Sequence, residues 1–188
     1  MDTATGTATS ATRDRGGLRT LVDAVRGVTR RDLPVAETAE SVGEVLRGHL
    51  PTVDVLTEDE LAGDPERYCQ HVLHIEPDGS FSVVALVWLP GQVTPVHDHV
   101  SWCVVGVVQG TESETLYRLG ERDGGPCLVE SGRSENPPRS VCAFAPPGDI
   151  HRVRNIGAGT AVSMHVYGAD IGELGSSIRR CYDLPVVT

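Results

Sequence analysis

The chain has 188 residues, a hydrophobic content of 39% and a formal net charge of -10. This length and composition are those of one globular domain with its own core, and the acidic balance excludes nucleic acids and anionic membranes as partners, since both attract a basic face. No apolar run has the length of a membrane span and no signal-peptide pattern opens the chain, which predicts a cytoplasmic protein.

Residues 1–16 are rich in Thr, Ala, Ser, Gly and charge without periodicity, which predicts a disordered lead-in. Residues 17–188 are then predicted to form a single domain. Apolar residues recur at helical spacing in two stretches, first Leu18, Leu21, Val22, Val25 and Val28 and then, after Pro34, Val42, Val45 and Leu46. Two N-terminal helices are therefore expected. Thr57 and Glu60 have the spacing of a capping box, which predicts a short third helix.

From Tyr68 onward, short runs rich in β-branched residues alternate with turn residues, which predicts strands. Eight such runs cover residues 68–76, 80–89, 102–109, 113–119, 126–130, 140–145, 150–155 and 160–168. Asp78-Gly79 and Gly124-Gly125 are hairpin signals between them. The even spacing predicts an antiparallel double-sheet barrel or jelly roll, in which alternate side chains point into the mouth.

A pair of histidines one residue apart, His97 and His99, precedes the apolar run that ends at Gly110. On a strand both imidazoles face one side while Asp98 faces the other, which is a metal-ligand geometry. His151, directly after a Pro-Gly turn, opens a second strand-like run and is the expected third ligand. Each histidine alone is more often an ordinary surface or core residue, but two such stretches in register favour a metal site.

The two histidine stretches resemble the paired motifs of the cupin superfamily. The resemblance implies a cupin fold, a double-stranded β-helix or jelly-roll barrel, so the expected fold is an all-β core with short N-terminal α-helices. Two positions depart from the pattern: Cys103 stands where the first motif usually has glutamate, and Ser140 where the second usually opens with glycine. Without that glutamate the site has three neutral ligands, which suit zinc, copper, iron or nickel.

A narrower pattern covers about residues 66–183. It consists of His97-x-His99, Cys103, Gln109-Gly110, Glu114-Thr115-Leu116-Tyr117, His151-Arg152-Val153-x-Asn155 and Ser163-Met164-His165-Val166-Tyr167. This order is similar to the cysteine dioxygenase family of thiol dioxygenases. The resemblance implies that the three histidines hold ferrous iron, Fe(II), that a small thiol and O2 are the reactants, and that the Ser-x-His-x-Tyr run lies beside the metal.

The residues of that run also suggest catalysis on physical grounds. Ser163, His165 and Tyr167 alternate on one strand, so they face the same way and can form a hydrogen-bonded row that orients the phenol toward a reactant. The alternative is an ordinary half-polar inner face. Three neutral ligands leave the charge of the metal uncancelled, which favours an anionic thiolate as substrate.

Animal members of the family carry a thioether cross-link between a cysteine and a tyrosine that match Cys103 and Tyr167. The resemblance therefore implies the same cross-link here, although the spacing from His99 to Cys103 is one residue shorter than in the animal pattern. Two alternatives stay open: a small buried thiol beside the site, and direct ligation of the metal by Cys103.

Cysteine-specific members have an arginine in a Tyr-x-Arg run, where this chain has Gln70. Gln70 and the Tyr167-Gly168-Ala169-Asp170 run resemble the bacterial 3-mercaptopropionate dioxygenase branch. In that branch an arginine near the C-terminus holds the substrate carboxylate, and of Arg179 and Arg180 the second is favoured. The expected substrate is therefore 3-mercaptopropionate, then cysteine.

Two other function classes stay open. A cupin isomerase, decarboxylase or hydrolase with another metal would use the same three histidines without needing the Ser-His-Tyr row. A non-catalytic metal-binding cupin is the second alternative. The oligomeric state is also open, with a monomer the simplest expectation.

Overall fold

The computed structural model describes residues 16–187, and three helices open this part of the chain. They are α1 (Gly16–Thr29), α2 (Val35–His49) and α3 (Glu58–Ala62), which confirms the three predicted helices. Thr57 and Glu60 form both hydrogen bonds of the predicted capping box. The predicted lead-in lies outside the described residues except for Gly16, with which α1 begins. The division into a lead-in and a single domain stays a prediction.

Eleven strands and one further short helix follow within residues 16–187. They are β1 (Cys69–Ile75), β2 (Ser82–Trp88), β3 (His97–His99), β4 (Cys103–Gln109), β5 (Glu112–Arg122), β6 (Gly125–Asn136), β7 (Val141–Phe144), β8 (His151–Asn155), β9 (Ala161–Tyr167), α4 (Ile171–Leu174), β10 (Ile178–Cys181) and β11 (Val186–Val187). Eight strands correspond to the eight predicted runs. The short strands β3, β10 and β11 were not among those runs.

The strands form two sheets that enclose a common interior. One sheet has the order β1-β2-β9-β4-β7, the other β10-β3-β8-β5-β6-β11, and all pairings are antiparallel except β6 with β11. Side chains from both sheets meet in the interior, for example Val105 of β4 and Val153 of β8. This confirms the predicted all-β cupin core, a jelly-roll barrel with N-terminal helices.

The five-stranded sheet is covered on both faces, which explains its near-continuous apolar sequence. Its outer face packs under α1 and α2, and every residue of β2 and β9 is buried. In β9, Met164 and Val166 face the helices. The alternate residues of β9 therefore face the barrel interior, where a polar side chain is taken out of water and needs a partner.

Glycines make the predicted turns. Gly79 and Gly124 have φ angles of 72° and 77°, and they lie in the turns that join β1 to β2 and β5 to β6. Gly110, the last residue of the first motif, has φ of 77°, and a Cβ there would lie 2.7 Å from the Cα of Ala161. Among the described residues, no helix is long and apolar enough to cross a membrane.

Candidate metal centre

Three buried histidines meet where β3 and β8 pair inside the barrel. His97 lies directly opposite His151, and His99 is two residues further along β3 on the same face. Their ligand nitrogens all lie within 4.8 Å of one another, and the side chains are at most 5% exposed. The structure thus brings together the three residues that the sequence predicts as metal ligands.

Each imidazole is oriented by an oxygen acceptor. His97 donates its Nδ1–H to the Pro95 carbonyl at 3.0 Å, His99 to the Asp149 carboxylate at 2.9 Å and His151 to the Glu114 carboxylate at 2.5 Å. Because a carbonyl or an ionised carboxylate can only accept, the proton of each neutral ring resides on Nδ1. All three Nε2 atoms are then left with a lone pair for a metal ion.

Burial favours the neutral form of two of these rings. It lowers the pKa of His97 to about 3, and the neighbouring imidazoles act in the same direction. Burial also lowers the pKa of His99. The Nε2 atoms of His97 and His151 are 3.2 Å apart, so two lone pairs face each other at a distance that a cation between them would stabilise. The group can therefore hold a metal ion, and ligand type alone does not decide which.

Two carboxylates that the sequence analysis did not assign support these ligands. Asp149 accepts from the backbone N–H of His99 as well as from its ring, and Glu114 accepts from the ring of His151 and also contacts the Cys142 thiol. Hydrogen bonds of this kind fix the ring orientation and raise the basicity of a ligand. A local signal exists for Glu114, because it occupies an alternate, inward position of β5.

Asp98 faces away from the metal centre, as the alternation of β3 predicts. It is 1% exposed and accepts hydrogen bonds from the Arg179 guanidinium and, at 2.8 Å, from the Tyr182 hydroxyl. Burial acts to raise the pKa of Asp98, but these hydrogen bonds lower it. The carboxylate thus ties β10 to the back of the histidine strand and engages Arg179 there.

A cavity opens at the histidines. Its lining is formed by Tyr68, Gln70, Leu86, Trp88, Thr94, His97, His99, Val105, His151, Val153, His165, Tyr167, Ser176, Ser177 and Ile178. Gln70 is therefore at the cavity, as the sequence predicts. Arg180 is not brought to it: the side chain is exposed, and its guanidinium lies over the Tyr182 ring, 5.5 Å from the centroid. The reason is register, since Arg180 pairs opposite Asp98 on the face away from the histidines.

Ser163, His165 and Tyr167 form a continuous hydrogen-bonded row along β9. The Ser163 Oγ is 3.0 Å from His165 Nε2, and the Tyr167 hydroxyl is 3.0 Å from His165 Nδ1. Burial lowers the pKa of His165 to about 3 and raises that of Tyr167 well above its usual range. The imidazole is therefore neutral and the phenol protonated at neutral pH.

Cys103 lies beside this row. It is opposite Tyr167 in the β4–β9 pairing, it is fully buried, and its thiol contacts the phenol hydroxyl. Burial raises the pKa of the thiol well above its usual range, so the sulfur stays protonated. Cys103 is outside the three-histidine group.

Trp88 is a further contact that sequence reasoning missed. Its Nε1–H donates to the Ser163 Oγ at 3.1 Å, and its ring packs on that of Tyr68 with centroids 4.5 Å apart. Residue 88 is 75 positions before Ser163 in the chain, so no local sequence pattern could predict the contact.

Comparisons with known proteins identify a family and relatives that share sequence with this chain. A family model described as cysteine dioxygenase type I matches residues 60–174. Cysteine dioxygenase type 1 of Homo sapiens is 31% identical over 107 residues, and that of Rattus norvegicus is 29% identical over 107 residues. Each alignment covers 55% of this chain and 52% of the relative. The chain thus spans about half the length of the curated relatives it matches.

Solved structures that match this chain share little sequence with it. A cupin superfamily protein from Desulfitobacterium hafniense is 12% identical, with a TM-score of 0.42, and the match covers 57% of this chain and 83% of that one.

Proposed function

Because this chain belongs to the cysteine dioxygenase type I family, whose model matches more than half of it, we propose that it is a thiol dioxygenase. The proposed reaction converts a small thiol carboxylate, 3-mercaptopropionate in preference to cysteine, and O2 to the sulfinic acid. The observation that carries the proposal is that three imidazole nitrogens and a hydrogen-bonded phenol meet at one cavity. A metal-binding cupin without thiol chemistry has no need of that phenol.

Ferrous iron is the proposed cofactor, with His97, His99 and His151 as its ligands. The donor set fits, because imidazole suits divalent iron and each ring already has its Nδ1 proton engaged. When bound, ferrous iron supplies redox chemistry and open coordination positions for a thiolate and dioxygen. The ligand group contains no carboxylate, so the full positive charge of the ion is available to attract the thiolate.

The chain's own residues would orient the reactants. Tyr167 keeps its proton, so it can donate a hydrogen bond to a reactant in the cavity while His165 holds its position. Gln70, Ser176 and Ser177 line the same cavity and offer neutral hydrogen-bond donors to a substrate carboxylate. Walls formed by Leu86, Trp88 and other apolar side chains limit the access of water to the reacting atoms.

The function is tested with isotopically labelled dioxygen and the iron-loaded full chain. We expect both oxygen atoms of the sulfinic acid to carry the label, since both come from the same dioxygen molecule. Tyr167→Phe should lower kcat by a factor of about 100, because the phenol proton is then absent from the cavity. Label that enters from solvent water, or no thiol consumption with any small thiol, would contradict the proposal.

We further propose that Cys103 and Tyr167 become covalently joined during turnover. Their position as direct cross-strand partners with the thiol against the phenol supports this. The S–H bond and a ring C–H bond ortho to the hydroxyl break, a carbon–sulfur bond forms, and two electrons and two protons pass to dioxygen. A joined pair would hold the phenol rigidly beside the cavity.

Intact-protein mass spectrometry measures this cross-link. After turnover with iron, thiol and O2, we expect a mass decrease of two hydrogens in the wild type and none in Cys103→Ala. Cys142→Ala, which removes a partly buried thiol of the neighbouring strand β7, serves as the control and should retain the decrease. An unchanged wild-type mass, with wild-type rates in Cys103→Ala, would reduce Cys103 to a packing residue.

A further inference from the structure

A buried carboxyl group ends the hydrogen-bonded row on the side away from the Tyr167 phenol. Glu112, the first residue of β5, is 1% exposed, and its carboxyl contacts the Ser163 hydroxyl. Its Oε1 atom has no hydrogen-bond partner among the described residues. It lines a second, small cavity together with Cys142 and Phe144 of β7. The function proposed above gives this carboxyl group no role.

The hydroxyl of Ser163 links Glu112 to the row, and it can form only a limited set of hydrogen bonds. A hydroxyl has one proton to donate and two lone pairs to accept with. One lone pair is engaged by the Trp88 indole N–H, which can only donate. One donated and one accepted bond remain for the two other neighbours, Glu112 and His165 Nε2. Whichever neighbour accepts from Ser163, the other must donate to it.

An ionised Glu112 accepts from Ser163. His165 must then donate to Ser163 from Nε2, and because the neutral ring has only one N–H, its Nδ1 becomes an acceptor. Tyr167 consequently donates its hydroxyl proton to His165 and turns a lone pair toward the cavity.

A protonated Glu112 donates to Ser163 and reverses every bond. Ser163 now donates to His165 Nε2, the imidazole proton moves to Nδ1, and that N–H donates to the phenolic oxygen. The proton of Tyr167 is then no longer donated to His165 and can be donated toward the cavity, on whose lining Ser177 also contacts the phenol. The geometry of the heavy atoms is the same in both states.

We propose that Glu112 is a positioning residue whose charge sets the direction of the hydrogen bonds through Ser163, His165 and Tyr167, and so decides whether the phenol offers a proton or a lone pair to the cavity. The consequence for turnover rests on the proposed thiol dioxygenase function. The direction of the hydrogen bonds does not depend on that function.

The surroundings of Glu112 allow both charge states near neutral pH. Burial raises the pKa of Glu112 to about 7, the Ser163 hydrogen bond acts in the opposite direction, and the charge of Glu114 on the same strand raises it further. The other titratable groups that face it are Cys142 on β7, with a pKa raised by burial to about 11, and neutral His165 on β9. Below about pH 7 the phenol proton is therefore free, and above it that proton is donated to His165.

Nitrogen NMR of the full chain tests the inference without any turnover. The chain is loaded with Zn(II), which is diamagnetic, and the protonated nitrogen of His165 is identified from its chemical shifts. In the wild type we expect the proton on Nδ1 at about pH 6 and on Nε2 at about pH 8. In Glu112→Gln, which keeps shape and removes the charge, one tautomer should persist throughout. A wild-type tautomer that is the same at both pH values would overturn the proposal.

Two further variants complete the test. Glu135→Gln neutralises an exposed carboxylate of β6 and should titrate like the wild type. Ser163→Ala removes the link while Glu112 remains, so its His165 tautomer should no longer respond to pH.

In the iron-loaded chain, the wild-type kcat should change about tenfold between about pH 6 and about pH 8, and the change should vanish in Glu112→Gln. A change that persists in Glu112→Gln would equally overturn the proposal. Absence of thiol oxidation with the expected NMR result would refute the proposed function alone.

Discussion

Replacing His151 with alanine is expected to abolish stoichiometric metal binding and, with it, thiol oxidation. The variant keeps two of three converging Nε2 atoms, and a facial site needs all three. It also removes the ring N–H from which the buried Glu114 carboxylate accepts a hydrogen bond at 2.5 Å. Removing a residue that hydrogen-bonds to a metal ligand typically lowers metal affinity about 10- to 100-fold. Removing the ligand itself should therefore lower metal affinity more than about 100-fold.

Metal content after anaerobic loading with ferrous iron, together with oxygen consumption, measures this effect. His49→Ala is the matched control, because His49 is an exposed histidine at the end of α2 and should bind iron as the wild type does. Circular dichroism establishes that both variants are folded. Full iron content and activity in His151→Ala would contradict the assignment of the three histidines as the metal ligands.

Gln70→Arg is expected to shift the substrate preference from 3-mercaptopropionate toward cysteine. The cavity lining, as far as residues 16–187 are concerned, contains no arginine or lysine, so Gln70 can offer a carboxylate only a neutral amide. Cysteine can chelate the metal through sulfur and amine, with its carboxylate then pointing at residue 70. Arginine there would make a charge-assisted, bidentate contact. Such a contact contributes about 1.5–3 kcal/mol, or roughly ten- to hundredfold in kcat/KM for cysteine.

The ratio of kcat/KM for the two thiols is the quantity to measure. The wild type should favour 3-mercaptopropionate, and Gln109→Arg, an exposed position at the end of β4, should not change the ratio. A wild type that turns over cysteine equally well or better would reject the proposed substrate.

The substrate-binding role of Arg180 stays a prediction. Its side chain is exposed over the Tyr182 ring and is not among the residues that line the cavity. Arg180→Ala tests the role separately: a rise in KM of about tenfold or more would support it, and an unchanged KM would leave the neutral donors of the cavity as the carboxylate site.

The features that the sequence determined by itself are those with a local physical cause. Helical spacing of apolar residues and the capping box at Thr57 predicted α1 to α3, because intrahelical hydrogen bonds join residues only four apart. The two-residue period of a strand predicted that His97 and His99 face one side with Asp98 on the other, and that Ser163, His165 and Tyr167 form one row. These statements hold whatever the strands pair with.

Only the tertiary structure decided the features that depend on strand register and sheet packing. The carboxylate partners of the His151 and His99 imidazoles are 37 and 50 residues away along the chain, and the Asp98–Arg179 contact joins residues 81 apart. The bounds of the short strands β3, β10 and β11 were decided by pairing with their neighbours, because a hydrophobic period cannot be recognised over two to four residues. Glu112 and Ser163 meet across the barrel for the same reason: side chains on facing sheets come into contact only after the whole fold has set their distance.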